Sequence, residues 1–191
     1  MGQGQSVDLS FEDGARTVEL ARESVEAFVQ NGQREQPGSM RDAFYNRTSA
    51  FVRLESTQGR GRLRGCAGAH ESVRELGNEN QQLGHAIVEA AIEAASEASC
   101  GSEVEPAELP NIRVSVCTVS NLVLTDDPVE DIELGTHGVA IDGDGQHGWM
   151  YPTLPVENDW SVFEYLDRTW RKAGLPDGAW EDDDVMVMLF E

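Results

Sequence analysis

The stretch Leu63-Arg64-Gly65-Cys66-Ala67-Gly68 places the tightest constraint on how this chain can fold. A β-forming run, Ala50-Phe51-Val52-Arg53-Leu54, leads into it through a glycine-bearing loop, Gly59-Arg60-Gly61. Glycines on both sides of the cysteine let the backbone turn sharply or lie against another group. In an extended segment Arg64 and Cys66, two residues apart, share a face. A guanidinium beside a thiol lowers the thiol pKa, and exposed backbone N–H groups favour an anion. One reading is therefore a thiolate site or an anion pocket. The other is architectural: a small buried cysteine where two elements pack closely, with Arg64 held in an ion pair.

The chain around this stretch reads as α+β. Residues 1–9 are polar and read as a flexible N-terminus, and residues 10–191 as a single domain. Ser10 and Asp13 cap a helix whose apolar stripe, Ala15, Val18, Ala21, Val25, Phe28 and Val29, runs to Asn31-Gly32. The strand at 48–54, the loop at 55–61 and the glycine-rich stretch form a hairpin. Residues 81–99 predict a core helix rich in alanine, able to approach a sheet closely. A strand follows at 112–119, with Ile112, Val114 and Val116 on one face. Gly138 to Asp142 and Gln146 to Tyr151 predict a hairpin about Asp142-Gly143-Asp144-Gly145. A helix over 159–173 carries Val162, Phe163, Leu166 and Trp170, and stops at Gly174 with Leu175 folding back. The last strand, Val185 to Phe190, is apolar on both faces and belongs inside a sheet. Helices and strands that do not alternate strictly imply a largely antiparallel β-sheet flanked by helices.

Charge limits the function classes. The chain has 35 acidic against 14 basic residues, a net charge of −21, and Lys172 is its only lysine. Short, strongly hydrated carboxylates in place of lysine stems suit multimolar salt, where self-repulsion is screened over about 3 Å at 1 M. The chain is thus halophilic in character, of haloarchaeal type. The overall charge gives no support to direct nucleic-acid binding. No apolar run reaches the roughly 18 residues of a membrane helix, and no signal pattern opens the chain. Cys66, Cys100 and Cys117 are an odd set without C-x-x-C spacing, which argues against disulfides and zinc and for a cytoplasmic protein.

The hexapeptide resembles the Leu-Arg-Gly-Cys-Ile-Gly signature of the AMMECR family. Further matches follow in order: Ala21-Arg22-Glu23-Ser24, Ala50-Phe51-Val52, Glu108-Leu109-Pro110 running into Ile112-Arg113-Val114-Ser115-Val116, and Thr136-His137-Gly138-Val139. Leu154-Pro155-Val156 with Trp160, and Lys172-Ala173-Gly174-Leu175, complete the set. The resemblance implies a compact α/β fold with a larger lobe from both chain ends and a smaller lobe between them. It carries no defined biochemical activity. It also implies association with Memo-like and radical-SAM proteins in a modification pathway. Ala67 replaces the usual isoleucine, and Gly101-Ser102-Glu103-Val104 stands where the family has Asp-Pro-Arg-Phe, so any anion pocket built on that arginine is lost here.

Cys66 is the candidate nucleophile, with Arg64, Gly65, Gly68 and His70 as candidate substrate-binding residues. His137 matches the family's His-Gly pair and is the candidate base; a structural histidine at a strand edge is the alternative. His147 is offset too far along the hairpin to pair with it around a metal, and His85 lies on the polar side of its helix. Asp142-Gly143-Asp144-Gly145 lacks the later carboxylate of a calcium loop, and Glu181-Asp182-Asp183-Asp184 reads as a solvated run, so no metal site is expected. No phosphate-loop, dinucleotide or nucleophile-elbow pattern occurs, and no cofactor is expected. Three functions follow. The first is a cytosolic enzyme or small-ligand-binding protein using a Cys66/Arg64 pocket on a small anionic or carbonyl compound. The second is a non-enzymatic adaptor or binding domain. The third is an accessory of the pathway with Memo-like and radical-SAM partners.

Overall fold

The computed structural model describes residues 9–37, 41–46, 48–68, 82–96 and 102–191. They fall into two compact units, one of residues 9–68 and 82–118 and the other Val119–Glu191. Each has its own buried apolar cluster.

The first unit opens with helix α1, Phe11–Asn31. The expected capping box forms: Ser10 Oγ accepts from the Asp13 N–H at 3.1 Å, and Asp13 accepts from the Ser10 N–H at 3.1 Å. Gly32, at φ 62°, stops the helix in the left-handed conformation that glycine adopts without strain. The buried stripe lies to one side of the predicted one. Val18 is 40% exposed, whereas Thr17, Leu20, Ala21, Ser24 and Val25 are buried. Thr17 and Ser24 enter the core because their hydroxyls donate to the Asp13 and Leu20 carbonyls one turn back, at 2.8 and 2.7 Å. A period count of apolar residues misses such positions.

Strands β1 (Ala50–Ser56), β2 (Arg62–Gly68) and β3 (Ile112–Thr118) form an antiparallel sheet in the order β2-β1-β3. Helix α2, Leu83–Ser96, buries Ile87, Val88 and the alanines Ala90, Ala91, Ala94 and Ala95. Val52 and Leu54 of β1 and Ala67 of β2 belong to the same cluster. The predicted continuation of α2 to residue 99 lies outside the described residues.

In the second unit β4 (Val123–Thr125), β5 (Gly138–Gly143), β6 (Gln146–Met150) and β7 (Met186–Phe190) form an antiparallel sheet in the order β4-β7-β5-β6. The last strand sits inside its sheet, as its two apolar faces require. The β5–β6 turn has two residues, Asp144 (φ 51°) and Gly145 (φ 72°), both left-handed, as a tight hairpin demands. The antiparallel pairing expected of the sequence is therefore present, in two sheets. Short helices α3 (Pro128–Asp131) and α4 (Leu154–Glu157) precede the long helix α5, Val162–Ala173. Ser161 and Glu164 cap α5 reciprocally, and at its end the Leu175 N–H donates to the Trp170 carbonyl at 2.9 Å. Phe163 is 57% exposed and Tyr165 takes the buried place. The Tyr165 hydroxyl lies 2.8, 3.0 and 3.3 Å from the carbonyls of Tyr151, Met150 and His137. Lys172 Nζ donates to the Trp149 carbonyl at 2.8 Å. No helix among the described residues is long and apolar enough to cross a membrane.

Ser161 closes the α5 N-terminus through two reciprocal bonds. Ser161→Ala is expected to lower stability by about 1 kcal/mol, measured as a shift of the denaturant midpoint at constant slope.

Candidate functional site

Strand β2 does not alternate regularly. Leu54 pairs with Gly65, but the next residue, Glu55, pairs with Leu63, so Arg64 is an extra residue in a β-bulge. The expectation that Arg64 and Cys66 share a face assumed unbroken alternation; the bulge interrupts it at Arg64. The Arg64 guanidinium, on a residue only 8% exposed, closes on Glu108. Nε donates to Oε1 at 2.7 Å and Nη2 to Oε2 at 2.9 Å, and Nη2 also reaches the Glu103 carbonyl at 3.3 Å. This two-pronged geometry is the strong form of a charge-assisted pair. Glu108 Oε2 also accepts from the Glu105 N–H at 2.9 Å. Arg64 first, and that N–H second, hold the Glu108 carboxyl below the usual carboxylate range.

The two glycines have steric duties. A Cβ on Gly65 would lie 1.9 Å from the Ala94 carbonyl oxygen of α2, and one on Gly68 2.0 Å from the Ala50 carbonyl oxygen of β1. Gly68 also sits at φ 125°. Strand and helix thus meet backbone to backbone at Gly65, and the alanine-rich face of α2 allows it. Ala67, 2% exposed, stands opposite Val52 in the same layer.

Cys66 faces the other way. It is half-buried and stands directly across from Arg53 of β1, which stands directly across from Ser115 of β3. One cross-strand row therefore holds a thiol, a guanidinium and a hydroxyl, since residues opposite one another share a face. Arg53 bonds Glu55 at 2.8 Å, and Glu55 also takes Arg113 at 3.0 Å. Cys117, next along this face opposite Phe51, is pushed up to about 11 by burial first and by the neighbouring Cys66 second. The charge beside Cys66 in the sheet is thus Arg53. Only strand register reveals it, because Arg53 and Cys66 are joined through a hairpin loop whose length is no guide to pairing. Glu108, the partner of Arg64, is likewise hidden 44 residues away.

His137 belongs to the second unit, at the mouth of β5. Its Nδ1 accepts from the Glu133 N–H at 3.0 Å, so in the neutral ring Nε2 carries the proton. Nε2 lies 3.9 Å from a Glu191 carboxylate oxygen. His70 and Cys100 lie outside the described residues. His85 is exposed on α2, and His147 stands opposite Asp142 in the β5–β6 ladder. Among the described residues no three His, Cys, Asp or Glu side chains are grouped to hold a metal ion.

A two-sheet α+β chain with this bulged, glycine-clamped strand has clear relatives. The AMMECR1 family model matches residues 18–191, and the chain belongs to that family. A Halobacterium salinarum protein is 92% identical over 191 residues, spanning 100% of this chain and 91% of its own length. That likeness agrees with the haloarchaeal character of the composition. A Methanopyrus kandleri protein is 32% identical, covering 96% of this chain and 87% of its own. The crystal structure of an uncharacterized protein, PH0010, from Pyrococcus horikoshii superposes with a TM-score of 0.84 at 28% identity. It covers 95% of this chain and 90% of that one.

Gly65→Ala is expected to cost at least about 3 kcal/mol, read as a lowered denaturant midpoint or as loss of folded protein, because backbone must move on both sides. Glu108 predicts an acid limb. As acid is added the unfolded chain takes up its proton first, near the ordinary value of 4.5. The contribution of the pair is therefore whole above that value and is lost as pH falls through the lowered value of the folded state. Stability measured against pH is expected to fall less steeply in Glu108→Gln than in the wild type.

Proposed function

We propose that this chain is a non-enzymatic binding module, in which Arg64, Gly65 and Gly68 serve architecture. The sheet face bearing Cys66, Arg53 and Ser115 then receives the partner. The observation that carries this reading is the two-pronged Arg64–Glu108 pair on a residue only 8% exposed. A guanidinium committed in this way is satisfied internally, and bringing it to a substrate anion would strand the Glu108 carboxylate. Gly65 and Gly68, each against a carbonyl oxygen, likewise have packing reasons to be glycine. The resemblance supplies the first partners to try, Memo-like and radical-SAM proteins.

Catalysis by Cys66 is the second reading, and one observation favours it: the thiol is half-buried and stands across from Arg53. Under this reading Arg53 takes the role that the sequence assigned to Arg64. His137 is a poor general base in its present hydrogen bonding, because its acceptor nitrogen is already used by the Glu133 N–H. It would have to exchange that bond to act.

The deciding measurement is the pH dependence of alkylation at each cysteine, resolved by peptide mass in multimolar potassium chloride. Cys117, pushed up to about 11, is the slow internal reference. The binding reading expects no selective labelling of Cys66 at about pH 6, well below the free-thiol value near 8.5. Selective labelling there turns the conclusion to catalysis, and His137→Ala becomes the next variant.

A further inference from the structure

Positive charge is not spread evenly over this acidic chain. Arg53, Arg60, Arg62, Arg64 and Arg113 lie on the three-stranded sheet and its β1–β2 hairpin, where Glu55 is the one acidic residue. Three of the five are engaged: Arg64 by Glu108, and Arg53 and Arg113 by Glu55. Arg60 and Arg62 are exposed at the hairpin end, and among the described residues neither has a hydrogen bond, ion pair or ring contact. Other described basic side chains are tied down. Arg16, Arg22, Arg34, Arg41 and Arg171 pair with carboxylates, and Arg168 lies 4.3 Å over the Trp160 ring. With 35 acidic residues against 14 basic ones, internal partners are abundant, and among the described residues these two guanidiniums pair with none.

The local backbone presents them. Gly59 (φ 72°) and Gly61 (φ 71°) flank Arg60, and a Cβ on Gly59 would meet nothing. The base of the loop is fixed, since Thr57 donates to the Asn111 carbonyl through its N–H at 2.7 Å and its hydroxyl at 3.1 Å. Arg62 stands opposite Ser56, where the ladder begins. Two guanidiniums two residues apart, on a firm base and with open space at Gly59 before Arg60, suit an extended chain of anionic groups.

We infer that the β1–β2 hairpin docks a short acidic polypeptide segment of a partner protein, with Arg60 and Arg62 each gripping a carboxylate. This deepens the binding-module reading and rests on it. A guanidinium fork holds a carboxylate at contact distance by two parallel bonds, and such a pair survives salt that screens longer-range attraction. Nucleic acid fits less well. The hairpin from Arg53 to Gly68 carries no aromatic side chain on which bases could stack. A long polyanion would also run from this small positive area into the field of a chain with net charge −21.

The test is fluorescence anisotropy with the full chain, using labelled octaglutamate and labelled octauridylate as probes across a series of potassium chloride concentrations. Octaglutamate is expected to bind the wild type. The double variant Arg60→Ser/Arg62→Ser is expected to bind it at least about tenfold more weakly, while Arg171→Ser, on α5, binds as the wild type does. An unchanged denaturant midpoint in the double variant establishes that the loss is not unfolding. Equal binding by the double variant, or no binding of octaglutamate to the wild type, overturns the proposal. Tighter binding of octauridylate through the same two arginines overturns it in favour of nucleic acid. If octaglutamate fails while Cys66 stays unlabelled at low pH, the hairpin assignment falls and the binding module stands. Selective Cys66 labelling at low pH removes the binding module itself, whatever the hairpin binds.

Discussion

The first unit depends on the approach of one strand to one helix at a distance that only glycine permits. At Gly65 the β2 backbone lies against the Ala94 carbonyl of α2, and no side chain separates them. That spacing sets how deep the sheet sits on the helix, and so which residues of β1 are sealed. Val52 and Leu54 are both fully buried, with Ala67 beside them. It also explains the composition of α2, which turns Ala90, Ala91, Ala94 and Ala95 inward; a larger side chain beside Gly65 would force the strand away. Arginines then fix the neighbouring turn, Pro106–Asn111, from two sides. Arg64 binds Glu108 within it, and Arg22 of α1 donates to the Leu109 and Ile112 carbonyls at 2.6 Å each. Sheet, helix and turn are therefore held by a close approach and two guanidinium clamps.

Local features of this arrangement were legible in the sequence, and distant ones were not. Ser10 with Asp13, Gly32, Gly174 with Leu175, and the Asp144-Gly145 turn each act within five residues, so their residue types disclosed their geometry. The inner placement of β7 was legible too, since a strand apolar on both faces must be covered on both. The stripe of α1 was misplaced because Thr17 and Ser24 hide their polarity in bonds to the preceding turn. At the signature the limit was register. A single extra residue at Arg64 uncouples it from Cys66, and nothing in the hexapeptide announces a bulge. The pairings that decide the chemistry, Arg64 with Glu108 and Cys66 with Arg53, are tertiary facts.

The same hexapeptide therefore serves two purposes on its two sides. Gly65 and Ala67 face the helix and fill space, while Cys66 lies in a polar row on the other face with Arg53 and Ser115. A motif can thus be demanding at nearly every position for packing reasons while one of its side chains is turned away from the helix it packs on. This is why the glycines and Arg64 say little about chemistry, and why Cys66 is the position where function and architecture can be separated by experiment.

Thirteen arginines and one lysine give the chain an unusual chemical permanence. Cells commonly erase positive charge by acylating lysine amines, a reaction to which the guanidinium does not respond. Here the sole target side chain is Lys172, and its ammonium is already bound to the Trp149 carbonyl. The positive charge on the three-stranded sheet consequently has no covalent off-switch of this kind. What remains to modulate it is the surrounding electrolyte, so the ionic composition of the medium, more than enzymatic editing of the chain, governs how strongly that charge is felt.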